Sequence, residues 1–378
     1  MISAGVELGL AGLLRAAPPL ARVDVREIVL RKKDPQWRFA LAANPASPGL
    51  LVQLIAHDGT VGSGSAGEIR HIGHELGAMR SAISDAVPAI VAPAGTGDAP
   101  GRGALDALTG PARAIIQMAL LDLVARYRGR PAHELLGPVR RQVVQLSRIV
   151  PLKSPDKMAA AAAELVSGGY RHLKIKLDNE DADLDVARVA AVREAVGPTT
   201  GLTIDANQSY PPADAIAVAH RLAPSRIDIF EQPSPADDIA GLAMIRRHSP
   251  IPVEADESAT SLERIRQLID AGATDGISIK IPKLGGIDNA LSAARMCGQA
   301  GLHVRIGAHV GSQLLNAAAV HLAAVLPDLA GPSELAEFDR LLDDPVTGLT
   351  ISNGQLEVPA GVGYGVTVAS SLPGEKEQ

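Results

Sequence analysis

The chain has 378 residues, 46% of them hydrophobic and 21% charged, with a formal net charge of −6. At roughly 150 residues per unit this is two to three units, or one α/β barrel with a companion domain, and long enough for a large core. No block of Lys and Arg of the kind nucleic-acid binding needs is present, and no apolar run reaches membrane-spanning length.

In chain order, the first stretch, MISAGVELGLAGLLRAAPPLARV, is mildly apolar but lacks a basic leader and carries Glu7, so it reads as a short extension or helix. VDVREIVLRKK and PGLLVQLIAHDGTVGSGSAGE predict antiparallel strands with a turn at Asp58–Gly59, and HELGAMRSAISDAVPAIV and ARAIIQMALLDLVARYRG predict helices. Residues 1–144 are therefore expected to form an α+β domain.

From residue 145 strands and helices alternate. The strand signals are QVVQLSRIV, HLKIKL, GLTIDAN, RIDIFEQ, PVEADES, GISIKI, HVRIGAHV and SELAEF. Helical patterns lie between them. The first, SPDKMAAAAAELVSGG, offers Ser154 as N-cap and Pro155 at the first helical position. Alternation predicts a parallel sheet with right-handed crossovers, and eight strands favour a closed barrel over residues 145–345. An open doubly wound sheet is the alternative, but no GxGxxG follows the first strand. Residues 346–378 alternate apolar and polar around an Asn353–Gly354 turn, lie past the eighth strand and are expected to return to the first domain, with EKEQ disordered. The one cysteine, Cys297, rules out an intrachain disulfide, fits a reducing, cytoplasmic compartment and reads as a buried helix residue.

Lys176, Asp205, Glu231, Asp256 and Lys280 close successive strand signals, at steps of 29, 26, 25 and 24 residues. Each step is one strand plus one helix. Strand side chains alternate faces, so Leu173, Ile175 and Leu177 point to the outer helices while Lys174 and Lys176 point inward. Thr203, Asp205, Asn207, Ser278 and Lys280 face inward by the same count. Lys283 would point away if its strand continued. All lie at the C-terminal strand ends, where barrel active sites are built. Three carboxylates with no partnering His or Cys suit Mg2+, with Mn2+ as an alternative. A cation on a substrate carboxylate stabilises the enediolate formed when the adjacent carbon loses its proton. A lysine can take that proton if burial and a neighbouring cation lower its pKa. Lysines on both sides of the metal would reach both faces of that carbon, which suits inversion of a stereocentre. Asn207 and Glu257 would orient ligands. His309 and Glu334, ending the seventh and eighth strands, divide between structural roles and contact with substrate. Asp275 precedes its strand, at the wrong end for chemistry.

KIK at 174–176, DAN at 205–207, EQP at 231–233, ADES at 255–258 and KIPKLGG at 280–286 together resemble the mandelate racemase/muconate lactonizing enzyme family of the enolase superfamily, most closely its muconate lactonizing subgroup. The resemblance spans nearly the whole chain. It implies an α/β fold: a modified (β/α)7β TIM barrel with an N-terminal α+β capping domain completed by the C-terminal segment. It implies Lys176 and Lys280 as the acid/base pair, Lys174 as their electrostatic partner, and Asp205, Glu231 and Asp256 as Mg2+ ligands. Substrate specificity in this family comes from two cap loops, here KKDPQWRFALAANPASP and GSGSAGEIRHIGHE, with Trp37, Arg38, Phe39 and His71 available to the distal end of the substrate. There are departures. Dipeptide epimerases carry Asp-x-Asp where this chain reads SELAEF. Muconate cycloisomerases carry a glutamate after the seventh strand, where this chain has His309. Mandelate racemase pairs a His there with an Asp on the sixth strand, where this chain has Lys280.

The expected function is Mg2+-dependent α-proton abstraction from a small carboxylate, leading to racemisation, epimerisation or cycloisomerisation. A dehydratase acting by β-elimination on an acid sugar, hydroxy acid or amino acid is the alternative. A Schiff-base barrel enzyme would need one lysine and no set of three acids. A non-catalytic binding protein would be expected to have lost a lysine or a ligand. A homo-oligomer is compatible with the sequence.

Overall fold

The computed structural model describes residues 6–39, 42–43, 45–93, 100–307 and 310–370. His309, the side chain of Phe39 and residues 371–378 lie outside the described residues.

The N-terminal sheet is antiparallel. Strand β1 (Leu20–Lys32) pairs along its length with β2 (Ala46–Ala56), which turns at Gly59 (φ 87°) into β3 (Val61–Gly67). Helices α1 (Leu76–Val91) and α2 (Gly110–Tyr127) cover this sheet, and α2 is buried on nearly every face. The alternate glycines of β3 make that contact. A Cβ at Gly62 would lie 2.3 Å from the Ala119 carbonyl oxygen, and one at Gly64 would lie 2.1 Å from that of Ile115.

The second unit is a barrel. Strands β4 (Ser147–Val150), β5 (His172–Lys176), β6 (Gly201–Asp205), β7 (Ile229–Glu231), β8 (Val253–Ala255), β9 (Gly276–Ile279) and β10 (His303–Ile306) are parallel and adjacent in sequence order. Helices follow the strands, beginning with Pro155–Ser167, where Ser154 holds the N-cap position without a side-chain capping bond. The eighth expected strand, SELAEF, is not regular. Residues 330–334 instead bridge the two sheet edges: the amides of Ala330 and Glu334 donate to the carbonyls of Val304 and Ile306, the Ser333 amide donates to the Gln145 carbonyl, and the Ser147 amide donates to the Ser333 carbonyl. A one-turn helix, Glu337–Arg340, follows. The expected first strand, QVVQLSRIV, also divides. Val143–Gln145 pairs antiparallel with Gln355–Glu357 of the tail, and only Ser147–Val150 enters the barrel.

The tail forms the expected hairpin around Asn353 (φ 50°) and Gly354 (φ 68°). Further on, the Tyr364 amide donates to Asp122 Oδ1 and its hydroxyl to the Met118 carbonyl, both on α2. The core is mostly Ala, Val, Leu and Ile, in a chain with only 2% aromatic residues. Cys297 is buried, and burial pushes its thiol up to about 12. Asp275 accepts from Arg246 and the Val253 amide, away from the chemistry. Among the described residues no helix is long and apolar enough to cross a membrane.

Candidate active site

The strand registers level the key residues. Lys176 pairs with Asp205, and Asp205 with Glu231, on adjacent strands. The outward residues Leu173, Ile175, Leu202 and Ile204 are fully buried beneath the helices, and the inward polar residues meet at the barrel's C-terminal end.

Lys174 Nζ donates to Glu231 Oε1 (2.7 Å) and to both oxygens of Glu334 (3.0 Å), and lies 2.9 Å from Asp205 Oδ2. Lys176 Nζ donates to Asp205 Oδ2 (2.6 Å) and Asn207 Oδ1 (2.8 Å). Asn207 Nδ2 in turn donates to Glu257 Oε1 at 2.9 Å. On the far side, Lys280 Nζ donates to Asp256 Oδ2 at 2.6 Å. The structure therefore brings Lys174, Lys176, Lys280, Asp205, Glu231, Asp256, Asn207, Glu257 and Glu334 into one cluster.

The cap reaches this end of the barrel. Lys153, after β4, bonds Asp34 at 2.7 Å, and Arg38 lies 3.4 Å from both Asp178 and Glu180, after β5. Trp37, on the same loop, is buried. His71, on the second cap loop, is pulled below the usual histidine value by burial and by Lys280. It lines a cavity of about 530 Å³ with Gln208, Glu257, Thr260, Arg264 and Lys283.

Residues 157–372 match the family model described as Enolase C-terminal domain-like. Over 374 residues the chain is 30% identical to the L-Ala-D/L-Glu epimerase of Bacillus subtilis (strain 168), covering 95% of this chain and 100% of that one. The chain belongs to the mandelate racemase/muconate lactonizing enzyme family of the enolase superfamily. It is accordingly an enzyme of the isomerase class. It is also 28% identical over 344 residues to muconate cycloisomerase 1 of Rhodococcus opacus, covering 87% and 91% of the two chains. The dipeptide epimerase of Enterococcus faecalis V583, solved with Mg and the dipeptide L-Leu-L-Tyr, superposes with a TM-score of 0.86 at 30% identity, over 92% of this chain and 99% of that one.

Within this family frame, Lys283 departs from its expected direction. The strand ends at Ile279, and the one-turn helix Ile281–Leu284 swings Lys283 back into the site. Its Nζ donates to Asp256 Oδ1 (2.6 Å), to the Ser278 carbonyl (3.1 Å) and to the Asp256 carbonyl. Two further residues escaped the sequence reading. Arg305 is buried in the barrel and bonds Glu231 Oε2 and Glu254 Oε1, each at 2.6 Å. Alternation along HVRI would have found it, since Val304 and Ile306 face out. Gln232 accepts through Oε1 from the amides of Asp256 (2.9 Å) and Ser258 (3.0 Å), which fixes the Asp256 loop. Its backbone is left-handed (φ 33°), as are Asn207 (φ 43°) and Gln208 (φ 75°). Such strain gathers at functional sites.

Six buried carboxylates (Asp205, Glu231, Glu254, Asp256, Glu257, Glu334) face five cations (Lys174, Lys176, Lys280, Lys283, Arg305). Burial disfavours ionisation of Asp205 and Asp256, yet the lysines outweigh it and both sit below the usual carboxylate range. Burial wins at Glu231, with Asp205 and Glu334 adding to it, and Glu231 is held above the usual range despite Lys174. Glu257 is pushed up to about 7 by burial and then by Asp256 and Asp205. Burial would lower the lysines as the sequence led us to expect. Instead the carboxylates outweigh it, and Lys174 and Lys280 stand above the usual lysine range.

Among the described residues no three acid, histidine or cysteine side chains close on one point as a ready-made metal cage. Lysine ammonium groups lie between the carboxylates instead. The donor set still fits a small hard cation. It is all oxygen and it comes from neighbouring strand ends. Mg2+ in particular uses few carboxylates and keeps much of its water.

Proposed function

We propose that this enzyme abstracts the α-proton of a small carboxylate and returns a proton to the carbon skeleton, in a Mg2+-dependent racemisation, epimerisation or cycloisomerisation. The observation that carries this is the placement of Lys176 and Lys280 on either side of Asp205, Glu231 and Asp256 at one barrel end. Lys176 and Lys280 act as the proton carriers on opposite faces of the carbon. Lys174 holds Glu231 and Asp205 in place, and Asn207 and Glu257 orient Lys176. Asp205, Glu231 and Asp256 would hold Mg2+, or Mn2+ in its stead. The bound cation would supply positive charge against the charge developing on the substrate carboxylate. Closure of the cap excludes water from the lysines, and we read the chain as a cap (1–144), a barrel (145–345) and a returning segment (346–378).

The named relatives are two epimerases and a cycloisomerase, which supports an isomerase outcome; β-elimination draws no support from them. Glu334, in the place where dipeptide epimerases carry Asp-x-Asp, is engaged by Lys174 and Arg305. The test is incubation with Mg2+ and a panel of α-substituted carboxylates in D2O. Deuterium should enter at the α-carbon, and complete inertness of a folded, Mg2+-loaded protein would overturn the proposal.

A further inference from the structure

A second cavity, of about 200 Å³, lies at the seam between the first cap loop and the barrel. Its lining includes Lys32, Trp37, Pro151, Lys153, Val310 and Glu337. It adjoins the reaction centre. The register pairing Val150 with Ile175 sets Pro151 level with Lys176 on the next strand. Val310 follows the strand that leads into Gly307, where a Cβ would lie 2.8 Å from Lys280 Cε. Burial works against ionisation of Glu337, but Arg340, Arg148 and the Ile149 amide outweigh it and hold Glu337 below the usual carboxylate range, with Lys176 adding to them.

Charge in this cavity is lopsided. Lys32, Lys33, Lys153 and Arg340 face Asp34 and Glu337. Lys153 pairs with Asp34 at 2.7 Å, and Arg340 with Glu337 at 3.4 Å. Lys33 is exposed to water. Lys32 remains, 8% exposed, with no ion pair among the described residues. Its Nζ sits 4.0 Å from the centroid of the Trp37 ring, a cation–π contact. A buried cation without a carboxylate is costly unless something supplies one. Burial lowers Lys32 to about 8, with only partial opposition from Glu337, as expected of a cation short of a partner.

We propose that Lys32, stacked on Trp37, binds a second carboxylate at the distal end of the substrate, so that the enzyme selects dianionic carboxylates. Proline, valine and tryptophan surfaces would pack the short chain between the two charged ends. The identity of the proximal end rests on the proton-abstraction reading above; the distal subsite does not need turnover to be observed.

Trp37 is the only tryptophan in the chain, so its emission reports this cavity directly. The experiment titrates the Mg2+-loaded full-length protein with two matched pairs. One is N-succinyl-L-leucine against its distal carboxamide, and the other is L-Ala-L-Glu against L-Ala-L-Gln. The pairs distinguish a carboxylate on the acyl side from one on the amino-acid side chain. In at least one pair the dianion should saturate a Trp37 emission change with a Kd on the order of ten- to a hundred-fold below that of its amide. Lys32→Met should erase that gap, and Lys32→Arg, which keeps the charge, should retain most of it. Circular dichroism confirms that both variants fold. Equal affinity within both pairs, a gap that survives in folded Lys32→Met, or no saturable change with any ligand overturns the proposal. A gap that depends on Lys32 without any α-proton exchange in D2O would instead sink the proton-abstraction reading and leave the subsite standing.

Discussion

His321 links the pH response of this protein to the seam between barrel, cap and tail. It is fully buried on the helix Gln313–Val325. Its Nδ1 accepts from the His133 amide at 3.1 Å and lies 2.9 Å from His133 Nδ1, with the two rings stacked at 4.9 Å. Tyr364 of the tail packs against it at 5.7 Å. Burial, and then His133, lower His321 from 6.5 to about 3. The unfolded chain therefore binds one more proton than the fold between those values. Stability tied to neutral His321 is complete above the unfolded value and erodes as pH falls from 6.5 toward 3. For one such group the loss is about 2 kcal/mol by about pH 5 relative to about pH 7.5. Urea unfolding of wild type and His321→Gln at both pH values measures it. The variant costs some stability at both, but the acid-induced loss should be smaller in the variant by about 2 kcal/mol, because the other titrating groups are shared. Equal losses in the two proteins would refute this account of the buried pair.

Arg305→Met leaves Glu231 and Glu254 without their shared guanidinium, so unfolding in urea should show a loss of about 3–5 kcal/mol, partly recovered by adding Glu254→Gln. A stability within about 0.5 kcal/mol of wild type would mean that the network carries little. Gly307→Ala places a Cβ 2.5 Å from Ser278 Oγ and 2.8 Å from Lys280 Cε. The lysine should shift, and α-proton exchange should fall by roughly ten- to a hundred-fold with the fold intact by circular dichroism. An unchanged exchange rate would show that Lys280 need not stand where it does.

Where a strand is regular, its two-residue period shows directly which side chains enter the barrel. Lys174 and Lys176, Thr203 and Asp205 fell inward as counted, because outward Leu and Ile leave one arrangement that buries them. Counting failed where the strand stopped. Lys283 turns back because Pro282 opens a helical turn directly after Lys280. The barrel closes through an irregular stretch at 330–334, whose pairing is set by both edges it bridges and not by its own pattern. Gln232 was quoted within a motif, but its grip on the Asp256 amide is a side-chain contact to the end of the neighbouring strand, which the pattern of its own strand does not display. The acids were legible as a set, whereas the lysines standing between them depend on the charge balance of the whole cluster. No single strand displays that balance.

The central claim is that Lys176 and Lys280 serve opposite faces of one carbon. It is tested most directly by α-proton exchange in D2O, using the two enantiomers of a substrate with the Mg2+-loaded wild type, Lys176→Ala and Lys280→Ala. Wild type should exchange both enantiomers, and each variant should lose exchange from a different one. Full exchange of both enantiomers by both variants would contradict the account.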